Sequence, residues 1–308
     1  MVTRKLIRIK VLQVVYAFGR DGQSNLLTAE KELETSLRKS YDLYHFLLLL
    51  PIALTRQYER LVAIRRQKFV PTESDLNPNL RLVSNRLAAQ LEEHEALNRY
   101  ARANHLSWNE ETAFVRGLLE KLLESEMYVE YSLCSPDTYE SDRDFWRDFF
   151  RTFVCNNEEF NGFLEEKSIY WNDDVEIIES FVFKTLRQFK PDSEKANPLI
   201  PMYKDDDCPD FARRLLDLTL LHGEEYRTRI YRQLINWNAD RVAGMDMVIL
   251  QMAIAELLHF PSIPVNVTLN EYIEVAKYYS TPKSPVFING ILDAVIRELH
   301  AEKLIPFK

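Results

Sequence analysis

The chain has 308 residues, enough for one large domain or two, each with its own hydrophobic core. Only 7 residues are glycine, which disfavours β-rich folds and phosphate-cradling loops because both use glycine in their turns. The formal net charge is −8, with 47 acidic against 39 basic residues, so any nucleic-acid site must be a local basic patch.

Cysteine content and the apolar runs predict a reducing, cytoplasmic location. The three cysteines are an odd number without a C-x-x-C pair, which indicates neither a disulfide framework nor a zinc knuckle. The N-terminus leads into an amphipathic helix rather than the apolar core of a signal peptide. The most apolar run, residues 46–54, is about half the length needed to span a bilayer, so no membrane association is expected.

The hydrophobic pattern has a period near 3.6 in almost every segment, which predicts an all-α protein. The first predicted helix carries Arg4, Lys5, Arg8 and Lys10, and the first ten residues contain no acid. These basic residues are the best candidates for a patch that binds phosphates. The alternative is a solvated helix face without a specific role.

The middle of the chain, residues 25–200, is predicted to be a helical elaboration whose role the sequence does not disclose. A long helix over 29–68 should kink or break near Pro51, and further helices are predicted at 80–104, 109–133, 141–154 and 175–189. Leucine and aromatic residues are frequent here, so the segment can bury enough surface to fold. Residues 191–209 contain four prolines and are the clearest linker.

After this linker, the pattern predicts a C-terminal bundle over residues 205–308, to which residues 1–20 add their helix. Its helices are expected at about 210–221, 224–236, 239–259, 269–279 and 285–301. Thr268 and Glu271 have the spacing of a capping box, and Ser284 before Pro285 is typical of a helix start. Glu256 lies on an apolar helix face, where a carboxylate must be paired, so we expect it to stabilise the fold.

No catalytic constellation is found in the sequence. Three pairs of acids are adjacent in the chain and would point about 100° apart on a helix, so their carboxylates do not face each other. The six histidines lack the i, i+4 spacing of a helical metal pair, and neither a G-x-S-x-G elbow nor a Walker loop occurs. The sequence therefore predicts a protein that is not an enzyme and binds neither a metal nor a cofactor.

Residues 263–293 carry the most specific pattern in the chain, IP-x-x-V-x-x-NE-x-x-E-x-AK-x-YS-x-x-x-S-x-x-F-I-NG-x-LD. This segment closely resembles the NusB family of bacterial transcription antitermination factors. The resemblance runs from about Asp210 to Arg297. It is supported at the other end of the chain by a set of residues similar to the family's arginine-rich first helix: Arg4, Lys5, Arg8, Gln13 and Tyr16. It implies a NusB-like helical bundle, elaborated here by additional long helices.

The resemblance also implies a function. Members of the family are non-enzymatic RNA-binding factors that recognise the boxA element of ribosomal RNA leader transcripts as single-stranded RNA. Carried over position by position, the RNA-binding residues would be Arg4, Lys5 and Arg8 on the first helix and, on a second side, Lys277, Tyr279, Ser284, Phe287 and Asn289. Basic side chains would neutralise phosphates and aromatic rings would stack on bases. For Phe287, a place in the core is an equally good interpretation.

Partners follow from the same resemblance. The family acts with the ribosomal protein NusE in an antitermination complex with RNA polymerase, and Asp246 matches the position of a partner contact. Gln251 and Ala255 depart from the family pattern, where arginine and tyrosine are usual. A rival hypothesis is a helical interaction scaffold that has kept the bundle and lost RNA binding.

Overall fold

A computed structural model describes residues 1–21, 25–133, 137–191, 197–234 and 242–305. The regular elements of these residues are helices, and the one β feature is an isolated bridge between Val2 and Tyr203. The predicted all-α class is therefore confirmed. No helix in the described part of the chain is long and apolar enough to cross a lipid bilayer.

Contacts divide the chain into two compact units. The first, which we call the bundle unit, contains Val2–Leu37 and Tyr203–Lys308. The second, the middle unit, contains Met1 and Arg38–Met202. The boundary falls within helix α2, Leu26–Leu48. The first helix and the C-terminal helices therefore belong to one unit, and most of the long central segment folds around its own core.

The bundle unit is built around one buried helix. Its helices, besides the first part of α2, are α1 (Arg4–Asp21), α12 (Asp207–Leu221), α13 (Gly223–Gln233), α14 (Gly244–His259), α15 (Val265–Tyr279) and α16 (Ser284–Ala301). Every residue of α14 from Ile249 to Leu257 is buried, and this helix contacts α1, α12, α13, α15 and α16. A helix that is apolar on all sides is stable only when neighbours surround it, which explains its central position.

Two helix starts in the bundle unit differ from the sequence prediction. Helix α15 begins at Val265 after Pro264, so Thr268 lies inside its first turns and the predicted capping box is wrong. The Thr268 hydroxyl donates instead to Glu256 Oε1 at 2.8 Å. Helix α16 includes Ser284, whose hydroxyl accepts the backbone N–H of Thr281 at 3.2 Å. In both cases a hydroxyl that could have capped its own helix has another partner.

The middle unit contains shorter helices than the sequence predicts. They are α3 (Leu50–Arg66), α4 (Glu73–Leu76), α5 (Arg86–Glu93), α6 (Glu95–Ala103), α7 (Thr112–Glu124), α8 (Glu126–Leu133), α9 (Tyr139–Phe149), α10 (Glu158–Lys167) and α11 (Val175–Gln188). A π-helical turn, Phe150–Val154, follows α9. The predicted break near Pro51 is confirmed, because α2 ends at Leu48 and Pro51 occupies the first turn of α3.

The single helix predicted over 80–104 is wrong, because the chain breaks at His94. This residue has extended backbone angles, φ −68° and ψ 107°, and it ends α5 and begins α6. Its Nδ1 accepts the backbone N–H of Leu97 at 3.3 Å, which satisfies one of the donors exposed at a helix start. Ser125 separates α7 from α8 in a similar way within the predicted 109–133 helix.

Aromatic side chains form much of the core of the middle unit. Trp146, Phe149 and Phe150 are fully buried. The ring of Trp108 stacks on Phe46 with centroids 4.0 Å apart, and its Nε1 donates to the Phe46 carbonyl at 2.8 Å. Burial of such large rings offsets the entropy of ordering the segment, as its composition predicts.

Candidate nucleic-acid interface

A buried ion pair joins the first helix to the centre of the bundle unit. The guanidinium of Arg8 on α1 binds both carboxylate oxygens of Glu256 on α14, at 2.8 Å from Nε and 2.7 Å from Nη2. Arg8 is 3% exposed and Glu256 is fully buried. Two parallel N–H···O bonds of this kind are the strongest and most directional ion pairing available to a carboxylate.

The carboxylate of Glu256 has two further donors. The hydroxyls of Thr268 and Tyr272 donate to its two oxygens at 2.8 Å and 3.1 Å. Burial raises the pKa of the Tyr272 hydroxyl well above its usual value, and the neighbouring charge of Glu256 adds to this. The predicted structural role of Glu256 is confirmed, since one carboxylate ties α1, α14 and α15 together.

Arg8 does not occupy the surface position that an RNA contact requires. Its third nitrogen, Nη1, binds Glu271 Oε2 at 3.1 Å, so the side chain is committed to two acids. Burial alone would lower the pKa of Arg8, but the hydrogen bond and charge of Glu256 outweigh burial and raise it. In this structure the guanidinium of Arg8 is buried and paired with two acids, which is a structural position, and its contact with phosphate stays a prediction.

Of the other three basic residues of the predicted patch, Lys10 is 1% exposed, whereas Arg4 and Lys5 lie at the surface. Lys5 is exposed and Arg4 is partly exposed, one turn before Arg8. The guanidinium of Arg4 lies 5.3 Å from the centroid of the Phe211 ring, an arrangement that restrains the side chain without neutralising its charge. Both residues are therefore placed where phosphates could reach them.

Two residues of the predicted site form a buried polar cluster, in which the first turn of α14 meets the turn between α15 and α16. Asp246 is 5% exposed and Ser284 is 1% exposed. The Ser284 hydroxyl donates to Asp246 Oδ2 at 2.8 Å, and Ser280 donates to the other oxygen. Neither Asp246 nor Ser284 has an exposed side chain, so the partner contact of Asp246 and the RNA contact of Ser284 stay predictions. The cluster instead fixes the turn over residues 280–284.

The remaining predicted residues surround that turn. Lys277 is exposed and its ammonium group pairs with Glu274. Tyr279, Phe287 and Asn289 are half-buried, and the Asn289 amide donates to Asp293 at 3.4 Å. The sequence analysis did not select Tyr278, which is 72% exposed and lies beside Lys277. Its only signal in the sequence is adjacency to residues that the family pattern names.

The two sides of the predicted RNA site lie at different levels of the bundle unit, that is, at different positions along the axis of α14. Asp246 and Glu256 are ten residues apart on α14, which is about 15 Å along the helix axis. Helix α1 reaches both levels: Arg8 binds Glu256, and the ring of Tyr16 lies beside Gly244, 3.7 Å from where a Cβ would stand. A strand that contacted both Lys5 and Lys277 would therefore lie along the bundle rather than at one point.

The fold and this surface define an all-α bundle. It has exposed basic residues at the start of α1 and beside the turn between α15 and α16. The model of the NusB family matches residues 180–297, which include α12 to α15 and nearly all of α16. A transcription antitermination protein NusB from Geobacter sulfurreducens is 43% identical over 111 residues, 34% of this chain and 80% of that protein. This chain belongs to the NusB family, as the resemblance predicts.

Two further relatives carry the same name. The protein from Salinibacter ruber is 42% identical over 101 residues, which cover 33% of this chain and 63% of that protein. The protein from Koribacter versatilis is 38% identical over 99 residues, 32% of this chain and 68% of that protein. The aligned part thus spans just under two thirds of the first of these relatives, and about one third of this chain.

One departure from the family pattern has a clear structural partner. The amide of Gln251, which is 6% exposed, donates to the carbonyl oxygen of Gly223 at 2.7 Å. This bond connects the middle of α14 to the first residue of α13. Ala255 is fully buried in the same helix. Both residues are therefore accommodated by packing within the bundle unit.

Proposed function

We propose that this protein is a non-enzymatic, RNA-binding transcription antitermination factor. In this proposal it acts in the cytoplasm with NusE on boxA-type, single-stranded sequences of ribosomal RNA leader transcripts, within the antitermination complex of RNA polymerase. The observation that supports it most is the match of the bundle unit to a family whose relatives bear the name of transcription antitermination proteins.

The geometry narrows the candidate RNA contacts to residues with accessible side chains. We assign Arg4, Lys5 and Lys277 to phosphates, because the three are cationic and at least partly exposed. Tyr279, Phe287 and Asn289 are candidates for contacts to bases. Arg8, Ser284 and Asp246 position the helices that carry these groups, so their substitution would affect RNA binding through structure.

Fluorescence anisotropy with labelled boxA RNA and a scrambled RNA, each with and without NusE, tests this proposal. Replacing Arg4 and Lys5 with alanine removes two cations. Because each phosphate contact to a single strand contributes about 0.7, we expect the magnitude of the slope of log K against log salt to decrease by about 1.4. The Arg65→Ala/Arg66→Ala variant is the matched control, because it removes two exposed charges from the middle unit.

Three results would contradict parts of this proposal. A slope that falls equally in the control variant would show a general charge effect rather than a site. An unchanged slope in the Arg4 and Lys5 variant would remove these residues from the interface. If the protein binds neither RNA at low salt, with or without NusE, it is a scaffold that has lost RNA binding.

A further inference from the structure

The middle unit contains a cleft lined by cationic residues. It lies beside α3 and the loop that precedes α7, and its volume is about 610 Å³. Three arginines line it, Arg56, Arg60 and Arg102, together with His105. Glu110 is the one acid among the lining residues, in a chain whose net charge is −8. The cleft therefore has the opposite sign of charge to the protein as a whole.

Two of these arginines are not neutralised within the structure. Arg56 pairs with Glu92 at 2.5 Å, whereas Arg60 and Arg102 are exposed and form no ion pair with a described residue. Arg116 and Arg151, which are exposed elsewhere in the middle unit, each pair with an acid three or four residues away. Two uncompensated cations that line one cleft repel each other, and a bound anion relieves this repulsion.

His105 occupies a backbone conformation that normally suits glycine or asparagine. Its φ is 56°, and it follows α6 as the left-handed residue of a Schellman motif. The two bonds of this motif run from Leu106 N to Ala101 O at 2.9 Å and from His105 N to Arg102 O at 3.4 Å. A side chain in this position is strained, and such strain is typical of functional sites. His105 is exposed and is one of the residues that line the cleft.

The cleft continues along α3. A second cavity of about 610 Å³ shares Gln57 and Thr112 with the first, and it is lined by Leu61, Ile64 and Arg116. From Leu49 to Ile64 the lining residues cover about 22 Å of helix axis. Ile64 is 65% exposed, so an apolar surface follows the row of arginines. A groove of this length that carries cations suits the backbone of a single nucleic-acid strand.

We infer that this cleft is a second RNA-binding site, which holds the sugar-phosphate backbone of a single strand without reading its sequence. The inference rests on the proposed function in that RNA is the ligand of this protein. Arg60 and Arg102 would bind phosphate oxygens, for which the planar guanidinium has the right geometry. His105 and Asn109 would add hydrogen bonds at the rim, where both side chains are exposed. The middle unit would thereby extend the length of RNA that the protein holds.

The test uses the full chain and a fluorescein-labelled oligouridine, which lacks a boxA sequence. Binding is measured by anisotropy over a range of salt concentrations for wild type, for Arg60→Ala/Arg102→Ala, and for the Arg65→Ala/Arg66→Ala control. The control removes the same charge from α3, the helix of Arg60, at two residues that line neither cavity. We expect the cleft variant to bind about tenfold more weakly and to lose about 1.4 from the salt slope, while the control stays near wild type.

Other outcomes would overturn the inference. Equal losses in both variants would show that only overall charge matters. If wild type does not bind oligouridine at low salt, the cleft is not a binding site for single-stranded RNA. If a polyglutamate peptide binds wild type as tightly as oligouridine does, and loses as much affinity in the cleft variant, the ligand is an acidic protein segment. Preference for boxA over scrambled RNA is a separate measurement, so failure of this inference leaves the proposed function standing.

Discussion

The Arg8 guanidinium and the Glu256 carboxylate lie 248 positions apart in the chain and form a doubly hydrogen-bonded ion pair inside the bundle unit. This pair connects the first helix to the helix at the centre of the unit. It also explains why α1 carries an arginine on its buried face, next to two basic residues that remain outside. Arg8 at the basic start of α1 thus has a structural role, whereas the phosphate contacts of Arg4 and Lys5 stay predictions.

The first prediction concerns the stability of the bundle unit. Replacing Arg8 with methionine leaves the buried Glu256 carboxylate without its counter-charge, which should lower the free energy of unfolding by about 3–5 kcal/mol. Urea denaturation followed by circular dichroism measures this change. Arg4→Ala is the control, and we expect it to stay within about 0.5 kcal/mol of wild type because Arg4 lies at the surface.

A double variant sharpens this test. Replacing Arg8 and Glu256 together with methionine removes both charges, so the double variant should be more stable than Arg8→Met alone. If Arg8→Met were as stable as wild type and lost only RNA affinity, Arg8 would be a direct RNA contact. The structural role described here would then be wrong.

The sequence predicted the helical class, the family and the structural role of Glu256, but it did not predict the partners of that residue. Local sequence signals were sufficient where the conformation depends on one helix alone. The proline at position 51, for example, correctly predicts the break between α2 and α3. They failed where a tertiary acceptor competes for a hydroxyl: Thr268 and Ser284 have the spacing of helix caps, yet they donate to Glu256 and Asp246. The buried position of Arg8 could not be predicted for a similar reason, because its partner Glu256 is distant in sequence.

The second prediction concerns the turn between α15 and α16. Ser284→Ala removes a donor from the buried Asp246 carboxylate and should lower stability by about 1–3 kcal/mol. Because Ser284 is buried, the salt slope of boxA binding should not change in this variant, whereas affinity should fall modestly as the turn loosens. A reduced slope, measured by anisotropy, would instead make Ser284 part of the phosphate-binding surface.

The third prediction is a pH dependence that originates at His45. Burial lowers the pKa of this histidine from 6.5 to about 4, even though its bond to the Tyr41 carbonyl acts in the opposite direction. The ring is 1% exposed and stacks on Tyr100 with centroids 3.9 Å apart. The neutral form is therefore favoured in the folded protein, while the unfolded chain binds a proton more readily.

The sign of this effect follows from the protons bound in each state. Between pH 6.5 and about 4 the unfolded chain holds more protons at His45 than the folded chain, so stability falls as pH falls through this window. The loss is about 3 kcal/mol at most, from a shift of roughly 2.5 pH units. Urea unfolding at several pH values should show a flatter profile for His45→Gln than for wild type. Parallel profiles would show that another group dominates.

The last prediction uses the strained backbone at His105. Glycine adopts a φ of 56° without steric cost, so His105→Gly should raise the free energy of unfolding by about 0.5–1 kcal/mol, less the extra entropy that glycine adds to the unfolded chain. His105→Ala keeps the strain and serves as the control, because it removes the imidazole alone. Both variants should bind oligouridine more weakly than wild type, since both lack the ring at the rim of the cleft. A glycine variant that is more stable and binds RNA as tightly as wild type would show that the imidazole makes no contact with the strand, and the contribution of the cleft would then rest on Arg60 and Arg102.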